Sequence, residues 1–182
     1  MRIFFALYGN NIIKFYKEEL ALIKSKDFYL LKVYDTKGRY LGTVEDIYID
    51  FYNEKVEGFC ISNFFKFSKK NFVKKEDIIS MEEVIIAKSL SFRVGIPFKN
   101  IKYMDIKDNK NVMKGVLEEL IIEKEDFSIK GLIMSSGIFD KMFKGKEILL
   151  LKKCILGEDF ILYQGSEEVR LKSLPRNKKN VN

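Results

Sequence analysis

The stretch "VYDTKGRYLGTVEDIYIDFYNEKVEGFCIS", residues 33–62, decides the fold because a related stretch follows it. That second stretch is "IKDNKNVMKGVLEELIIEKEDFSIKGLIMS", residues 106–135, and it aligns at a fixed offset of 73 without a gap. Seven of the thirty positions are identical. Farther along, residues 78–86 align with residues 154–162 at an offset of 76. Self-similarity at a fixed period predicts two copies of one module instead of one large domain.

The repeated module has the pattern of a β structure. Apolar residues Val44, Ile47 and Ile49 alternate with polar ones, and an apolar run returns after a turn at residues 52–55. Gly38 can supply the positive φ of a tight hairpin, and Asn111 takes its place in the second copy. The pattern predicts five or six short strands per module, arranged as a small closed or nearly closed barrel that hides its sheet edges.

Glycines recur at matched places inside the strand patterns. We interpret them as structural, because glycine within a strand marks a bulge, a barrel corner or a close approach of two backbones. A phosphate-binding loop is the alternative, but none of them opens a helix or belongs to a glycine-rich run. The structural glycines are Gly42, Gly58, Gly115 and Gly131.

These residues resemble a PRC-barrel domain. The stretch from residue 32 to 62, followed by "FVKKEDIISMEEVIIA" (72–87), has the family's Asp/Gly turn, Gly-x-Val, acidic-apolar strand and glycine-containing partner strand. Lys74 stands where a proline is common in the family. The second copy is similar to the second module of tandem bacterial PRC-barrel proteins. The resemblance covers about residues 26–90 and 102–165.

The resemblance implies a fold and a kind of function. PRC-barrel domains occur in the H subunit of the photosynthetic reaction centre and in a ribosome maturation factor, and neither specific role carries over to this chain. The family implies a non-catalytic interaction module with no catalytic residues to transfer. The predicted fold is therefore mainly β, with two small PRC-type barrels in tandem and a short N-terminal helix.

The predicted organisation has five parts. Helical spacing of Ile12, Tyr16, Leu20 and Ile23 predicts the short helix within residues 10–25. Gly95 and Pro97 mark a linker, whose apolar residues predict that it is packed. The parts are an N-terminal extension (1–25), module one (26–90), the linker (91–101), module two (102–165) and a polar, basic tail (166–182).

The composition argues against an enzyme. The chain has no histidine, which removes the commonest general base and metal ligand. Cys60 and Cys154 each lie in an apolar run and are predicted to be buried thiols instead of a disulfide or a zinc site. Carboxylate pairs such as Glu45–Asp46 and Glu118–Glu119 recur at matched places, which favours a structural role. No catalytic residue, metal or cofactor is predicted.

A basic segment is the main candidate for binding an anion. The net charge is +7, carried mostly by lysine, with only five arginines. The stretch "FFKFSKKNFVKK" (64–75) is a weak candidate for a nucleic-acid patch because it combines aromatic and basic residues. In the alternative interpretation, the aromatic residues face inward and the lysines form the solvent-exposed face of a hairpin. The lysines concerned are Lys66, Lys69, Lys70, Lys74 and Lys75.

The sequence favours a protein-binding adaptor in the bacterial cytoplasm. The first alternative is an RNA- or ribosome-associated factor, which the net positive charge of the chain favours. The second is binding to an anionic membrane surface, which basic and aromatic residues together would support. No stretch approaches the ~18 apolar residues of a transmembrane helix.

Overall fold

The computed structural model describes residues 5–8, 11–14, 22–62, 70–135, 147–165 and 169–170. Within them the strands are β1 Phe5–Tyr8, β2 Asn11–Lys14, β3 Leu22–Lys24, β4 Lys32–Asp35, β5 Tyr40–Asp50, β6 Lys55–Ser62, β7 Phe72–Lys74, β8 Ile78–Met81, β9 Val84–Ala87, β10 Ile96–Pro97, β11 Asp105–Asp108, β12 Met113–Glu123, β13 Ile129–Ser135, β14 Glu147–Leu149, β15 Cys154–Leu156, β16 Phe160–Tyr163 and β17 Val169–Arg170. The helical turns are α1 Phe98–Ile101 and the 3-10 turns Ser25–Phe28, Lys75–Asp77 and Leu151–Lys153.

The two modules have the same strand pairing. The first sheet runs β7-β6-β5-β4-β9-β8, and the second contains the matching path β14-β13-β12-β11-β16-β15. In both, the pairing of the first strand with the last is parallel, β4 with β9 and β11 with β16. Register shifts also recur, at Val44/Asp46 in β5 and at Leu117/Glu119 in β12. The mainly β fold is confirmed.

The described strands form open sheets. Each path ends in strands that do not pair with each other within the described residues, so the predicted closed barrels are not seen there. Instead, each sheet gains a strand from outside its own module. β3 pairs with β12 in the second sheet, with Ile23 opposite Ile122. β10 pairs with β5 in the first sheet, with Ile96 opposite Ile49.

This exchange is reciprocal. The offset of 73 that relates the two copies also makes Ile23 equivalent to Ile96, and Ile49 equivalent to Ile122. The strand that precedes each module therefore joins the long strand of the other module. Two subunits related by a two-fold axis make contacts of this kind, in which each contact occurs twice with the roles exchanged.

The short helix predicted in the N-terminal extension is wrong where the structure describes those residues. Asn11–Lys14 is a strand that pairs with Phe5–Tyr8, and Leu22–Lys24 is the strand β3. Residues 15–21 lie outside the described residues. In the tail, Val169–Arg170 adds a strand beside β14, and the other residues from 166 onward lie outside the description.

The predicted linker contributes to both modules. β10 belongs to the first sheet, and α1 buries Phe98 and Ile101 in the shared core. The predicted packing therefore holds for these residues and for the half-buried Ile96. Phe92 and Val94 differ, because they are 59% and 47% exposed.

One core spans the two modules. Phe59 on β6 stacks on Phe28 with ring centroids 5.0 Å apart, and meets Phe127 of the second module edge-on at 5.9 Å. Cys60 and Cys154 are buried free thiols, as predicted. Burial raises the pKa of Cys154 to about 12, so this thiol stays protonated at neutral pH.

Close backbone contacts explain the glycines within the strands. A Cβ atom on Gly42 would fall on the carbonyl oxygen of Ser62, and one on Gly115 would fall on that of Ser135. Equivalent positions in the two copies therefore need glycine for the same reason, the close approach of the neighbouring strand. Gly58 and Gly131 are also crowded, by the carbonyl of Val73 and by the side chain of Ile148.

Candidate interaction surfaces

A pair of matching turns forms one exposed surface where the modules meet. Tyr29 and Leu30 follow the 3-10 turn at the start of module one, and Lys102 and Tyr103 follow α1 at the matching place at the start of module two. The Lys102 Nζ lies 5.9 Å from the ring centroid of Tyr29 and 5.2 Å from that of Tyr103. One ammonium group thus stands between two tyrosine rings that belong to different modules. We call these four residues the dyad face.

Two residues of the dyad face are exposed in an unfavourable backbone conformation. Leu30 and Tyr103 have φ values of 70° and 68°, and they are 80% and 63% exposed. This left-handed conformation brings Cβ close to the following carbonyl oxygen and costs about 1–2 kcal/mol; glycine, which lacks Cβ, avoids this cost, and asparagine and aspartate tolerate the conformation best among the other residues. The main chain holds it by donating N–H bonds from Leu30 to the Val44 carbonyl (3.1 Å) and from Tyr103 to the Leu117 carbonyl (2.7 Å).

Buried carboxylates fasten the helical turns to the opposite module. Glu119 of β12 accepts hydrogen bonds from the Ser25 hydroxyl and from the Lys26 N–H at 2.9 Å. Asp46, its counterpart on β5, accepts one from the Lys99 N–H at 3.2 Å. Lys26 and Lys99 are themselves related by the offset of 73. The two carboxylates therefore make the same reciprocal contact, from the long strand of one module to the turn that precedes the other.

The surroundings of Tyr29 keep it neutral. Burial raises its pKa well above the usual value, and the nearby carboxylates of Asp46 and Glu119 raise it further. Burial also raises the pKa of Asp46, although N–H groups of Ile47 and Lys99 act in the opposite direction. The Lys102 Nζ lies 3.6 Å from Glu119 and partly offsets its charge. Asp46 and Glu119 are thus engaged by N–H groups of Lys99 and Lys26.

The predicted lysine patch lies partly outside the described residues. Lys66 and Lys69 belong to the undescribed segment 63–69. Lys70 is exposed, with its Nζ 5.6 Å from the ring centroid of Phe92. Lys74 lies half-buried on β7, opposite Gly58. Lys75 begins a 3-10 turn, so the three described lysines have different surroundings.

A second basic residue, Arg93, contacts the neighbour of Lys70 in the chain. Arg93 is exposed, and its Nε donates to the Asn71 side chain at 3.2 Å. Lys70, Phe92 and Arg93 thus combine two cations and an exposed aromatic ring beside β7. Phe92 was predicted to lie in a packed linker and was therefore not grouped with Lys70.

The dyad face was not predicted from the sequence, although a signal for it exists. Extending the repeat upstream aligns residues 22–32 with residues 95–105, and pairs Ile23 with Ile96, Phe28 with Ile101 and Leu31 with Met104. The same alignment places Leu30 opposite Tyr103. That alignment would have shown that the repeated unit begins before residue 26.

Within the part of the chain that the structure describes, no helix has the length and apolar character needed to cross a bilayer. A search of curated proteins finds no match. The family description "PRC-barrel domain" matches residues 22–114, just over half of the chain. The match begins at β3, the strand that joins the second sheet, and ends within β12. The chain belongs to the PRC-barrel domain family.

Proposed function

We propose that the protein is a non-catalytic tandem PRC-barrel protein that acts as an adaptor, and that it binds another protein through the dyad face. The observation that carries this proposal is the exposure of Leu30 and Tyr103 in left-handed backbone at equivalent positions. Bulky residues in that conformation are unfavourable for stability, and backbone strain of this kind is concentrated at functional sites. Lys102 lies near the rings of both Tyr29 and Tyr103, and Leu30 follows Tyr29 in the chain. Exposed apolar groups around one such contact favour binding of a protein.

The tandem arrangement is supported by the pairing of the second sheet. Its parallel pair, its register shift at Leu117/Glu119 and its crowded glycine at Gly115 all have counterparts in the first module. We infer that residues 102–165 are a second PRC-type barrel. The reciprocal strand exchange would then make the chain a covalent equivalent of a two-fold dimer.

The non-catalytic assignment is supported by what the carboxylates do. Asp46 and Glu119, which belong to the pairs that could have served acid–base chemistry, accept hydrogen bonds from the backbone N–H groups of Lys99 and Lys26. Asp35 accepts N–H bonds from Lys37 and Arg39 and so closes the turn after β4. A cytoplasmic location stays a prediction of the sequence.

RNA binding is the second candidate, and the group formed by Lys70, Phe92 and Arg93 favours it. An exposed ring can stack on a base while nearby cations bind phosphate. Such binding would weaken steeply as the salt concentration rises, because phosphate contacts release counterions.

The test is affinity capture of the tagged protein from lysate of its own host, with and without nuclease. The proposal predicts that a protein is retained in stoichiometric amount, and that it stays bound after nuclease treatment and in moderate salt. The variant Phe92→Ser with Lys70→Ser should retain it equally. Retention of RNA or ribosomal proteins that is lost with nuclease and with this double variant would favour the second candidate. Flotation with anionic liposomes tests the membrane alternative separately.

A further inference from the structure

A groove lies between β8 of module one and the β12–β13 turn of module two. Its volume is about 320 Å³. One wall is β8, with Ile79, Ser80 and Met81, and the opposite wall includes Glu125 and Phe127. The groove therefore places apolar side chains of β8 and Phe127 beside charged side chains from both walls.

β8 is the terminal strand of its sheet. Within the described residues it pairs with β9 and with no other strand. Ile79 is 52% exposed, and it lies at the register shift between β8 and β9. A terminal strand offers N–H and C=O groups to any extended chain that lies beside it.

The matching place in module two has an additional contact. Tyr52, in the β5–β6 turn, lies against β15 and donates its hydroxyl to the Leu156 carbonyl at 3.2 Å. The repeat offsets relate Leu156 to Ser80 and Tyr52 to Glu125. A carboxylate cannot donate to a carbonyl oxygen. The hydrogen bond that Tyr52 makes to β15 therefore has no equivalent at β8, and no other described strand pairs with this edge of β8.

The charges that line the groove favour a basic ligand. Lys124 binds Glu82 at 3.0 Å, and Asp126 binds Lys55 at 2.9 Å. Lys75 also lines the groove, so its lining carries three carboxylates and two ammonium groups. The carboxylates of Glu76 and Glu125 also line the groove; they are exposed, and no ion pair with a described residue neutralises them.

We propose that the groove beside β8 binds an extended, basic segment of a partner protein, which adds a strand to the first sheet. Backbone hydrogen bonds to β8 supply affinity, as in other cases of strand addition. An aliphatic side chain of the segment packs against Met81 and Phe127, and a lysine or arginine reaches Glu125. This inference rests on the proposed adaptor function and names a second contact for the same kind of partner.

The test uses the full chain and a synthetic peptide of nine residues in which lysine alternates with isoleucine or valine. Two control peptides replace lysine with glutamate, or the central residue with proline. Binding is measured by calorimetry, and backbone amide exchange locates the site. Glu125→Tyr introduces at β8 the residue that covers β15, and Glu125→Lys reverses the charge. Glu158→Lys is the matched control, because Glu158 is an exposed acid in a turn of module two.

The proposal predicts binding of the basic peptide with slower amide exchange at residues 78–81. Both Glu125 variants should weaken binding by about tenfold or more, which is about 1.4 kcal/mol, and Glu158→Lys should not. Absence of binding at about 1 mM peptide, or binding that Glu125→Tyr leaves unchanged, would overturn it. Because capture of a partner through Leu30 and Tyr103 is measured separately, the groove can fail while the adaptor function stands.

Discussion

The backbone N–H of Val56 donates to the carbonyl oxygen of Phe127 at 2.9 Å, although 71 residues separate the two along the chain. The equivalent bond runs in the opposite direction, from the N–H of Ile129 to the carbonyl of Glu54 at 2.7 Å. Glu54 and Phe127 share a left-handed φ, of 54° and 57°. The hairpin turns of the two modules are therefore joined reciprocally, and the modules form one unit.

Because the modules share a core, we expect them to unfold together. Phe28 is 1% exposed and stacks on Phe59, so Phe28→Ala should lower the free energy of unfolding by about 3–5 kcal/mol. Urea unfolding followed by far-UV and near-UV circular dichroism should give one coincident transition, shifted as a whole. Two separated transitions, of which Phe28→Ala moves only one, would show that the modules are independent.

Ser25 should contribute to stability through its hydroxyl. Its side chain is fully buried; it donates to Glu119 and accepts from the Leu120 N–H at 3.0 Å. Ser25→Ala leaves both partners buried without that bond, so we expect a loss of about 1–3 kcal/mol in urea unfolding. Ser80→Ala, at an exposed serine, is the control and should change stability by less than about 0.5 kcal/mol. Equal effects of the two changes would refute the role given to Ser25.

Stability should fall at acid pH because several aspartates have lowered pKa values. The Ser128 hydroxyl and the Lys55 ammonium lower the pKa of Asp126, and backbone N–H bonds lower those of Asp35 and Asp108. The unfolded chain, with pKa values near about 4, takes up protons first as the pH falls. These groups therefore stabilise the fold above about pH 4 and stop doing so as the pH falls through their folded pKa values.

The variant Asp126→Asn tests this assignment. It should flatten the dependence of the free energy of unfolding on pH below about pH 4, because the folded and unfolded states no longer differ in proton binding at this position. Asp105→Asn is the control, at a half-buried aspartate on β11. A slope in Asp126→Asn identical to that of the wild type would contradict the role of Asp126.

Leu30→Asn should stabilise the protein. The side chain is mostly exposed, so little buried apolar area is lost, while asparagine tolerates the left-handed backbone that leucine occupies at a cost. We expect a gain of about 1 kcal/mol in urea unfolding. Val112→Asn, at a residue 54% exposed and without positive φ, should give no gain. A loss of stability in Leu30→Asn would mean that Leu30 supports the fold.

Local patterns predicted much of each module. The turn at Asp35 was foreseen from residue types, and Gly38 and Asn111 have the positive φ values expected, 76° and 60°. The repeat predicted two copies of one module, and both sheets contain the same path of paired strands. These features depend on neighbours in sequence or on hairpin partners, which alternation and turn residues specify.

Contacts between the modules were not foreseen, and they produced the errors. Ile23 fits a helical spacing with Ile12, Tyr16 and Leu20, yet it pairs as a strand with Ile122. A local sequence pattern carries no information about a strand partner so distant in the chain. The tertiary pairing of β3 with β12 therefore overrode the local helical spacing. The dyad face was missed for the same reason, because Tyr29 and Lys102 meet only after the strand exchange.

The most direct test of the adaptor function measures stability and partner capture together in the double variant Leu30→Asn, Tyr103→Asn. Val112→Asn with Met113→Asn, at two residues each 54% exposed, is the control pair. If the dyad face binds the partner, the double variant is at least as stable as the wild type but loses about tenfold or more of the nuclease-resistant protein retained. Undiminished capture by a folded double variant would contradict the role of the dyad face.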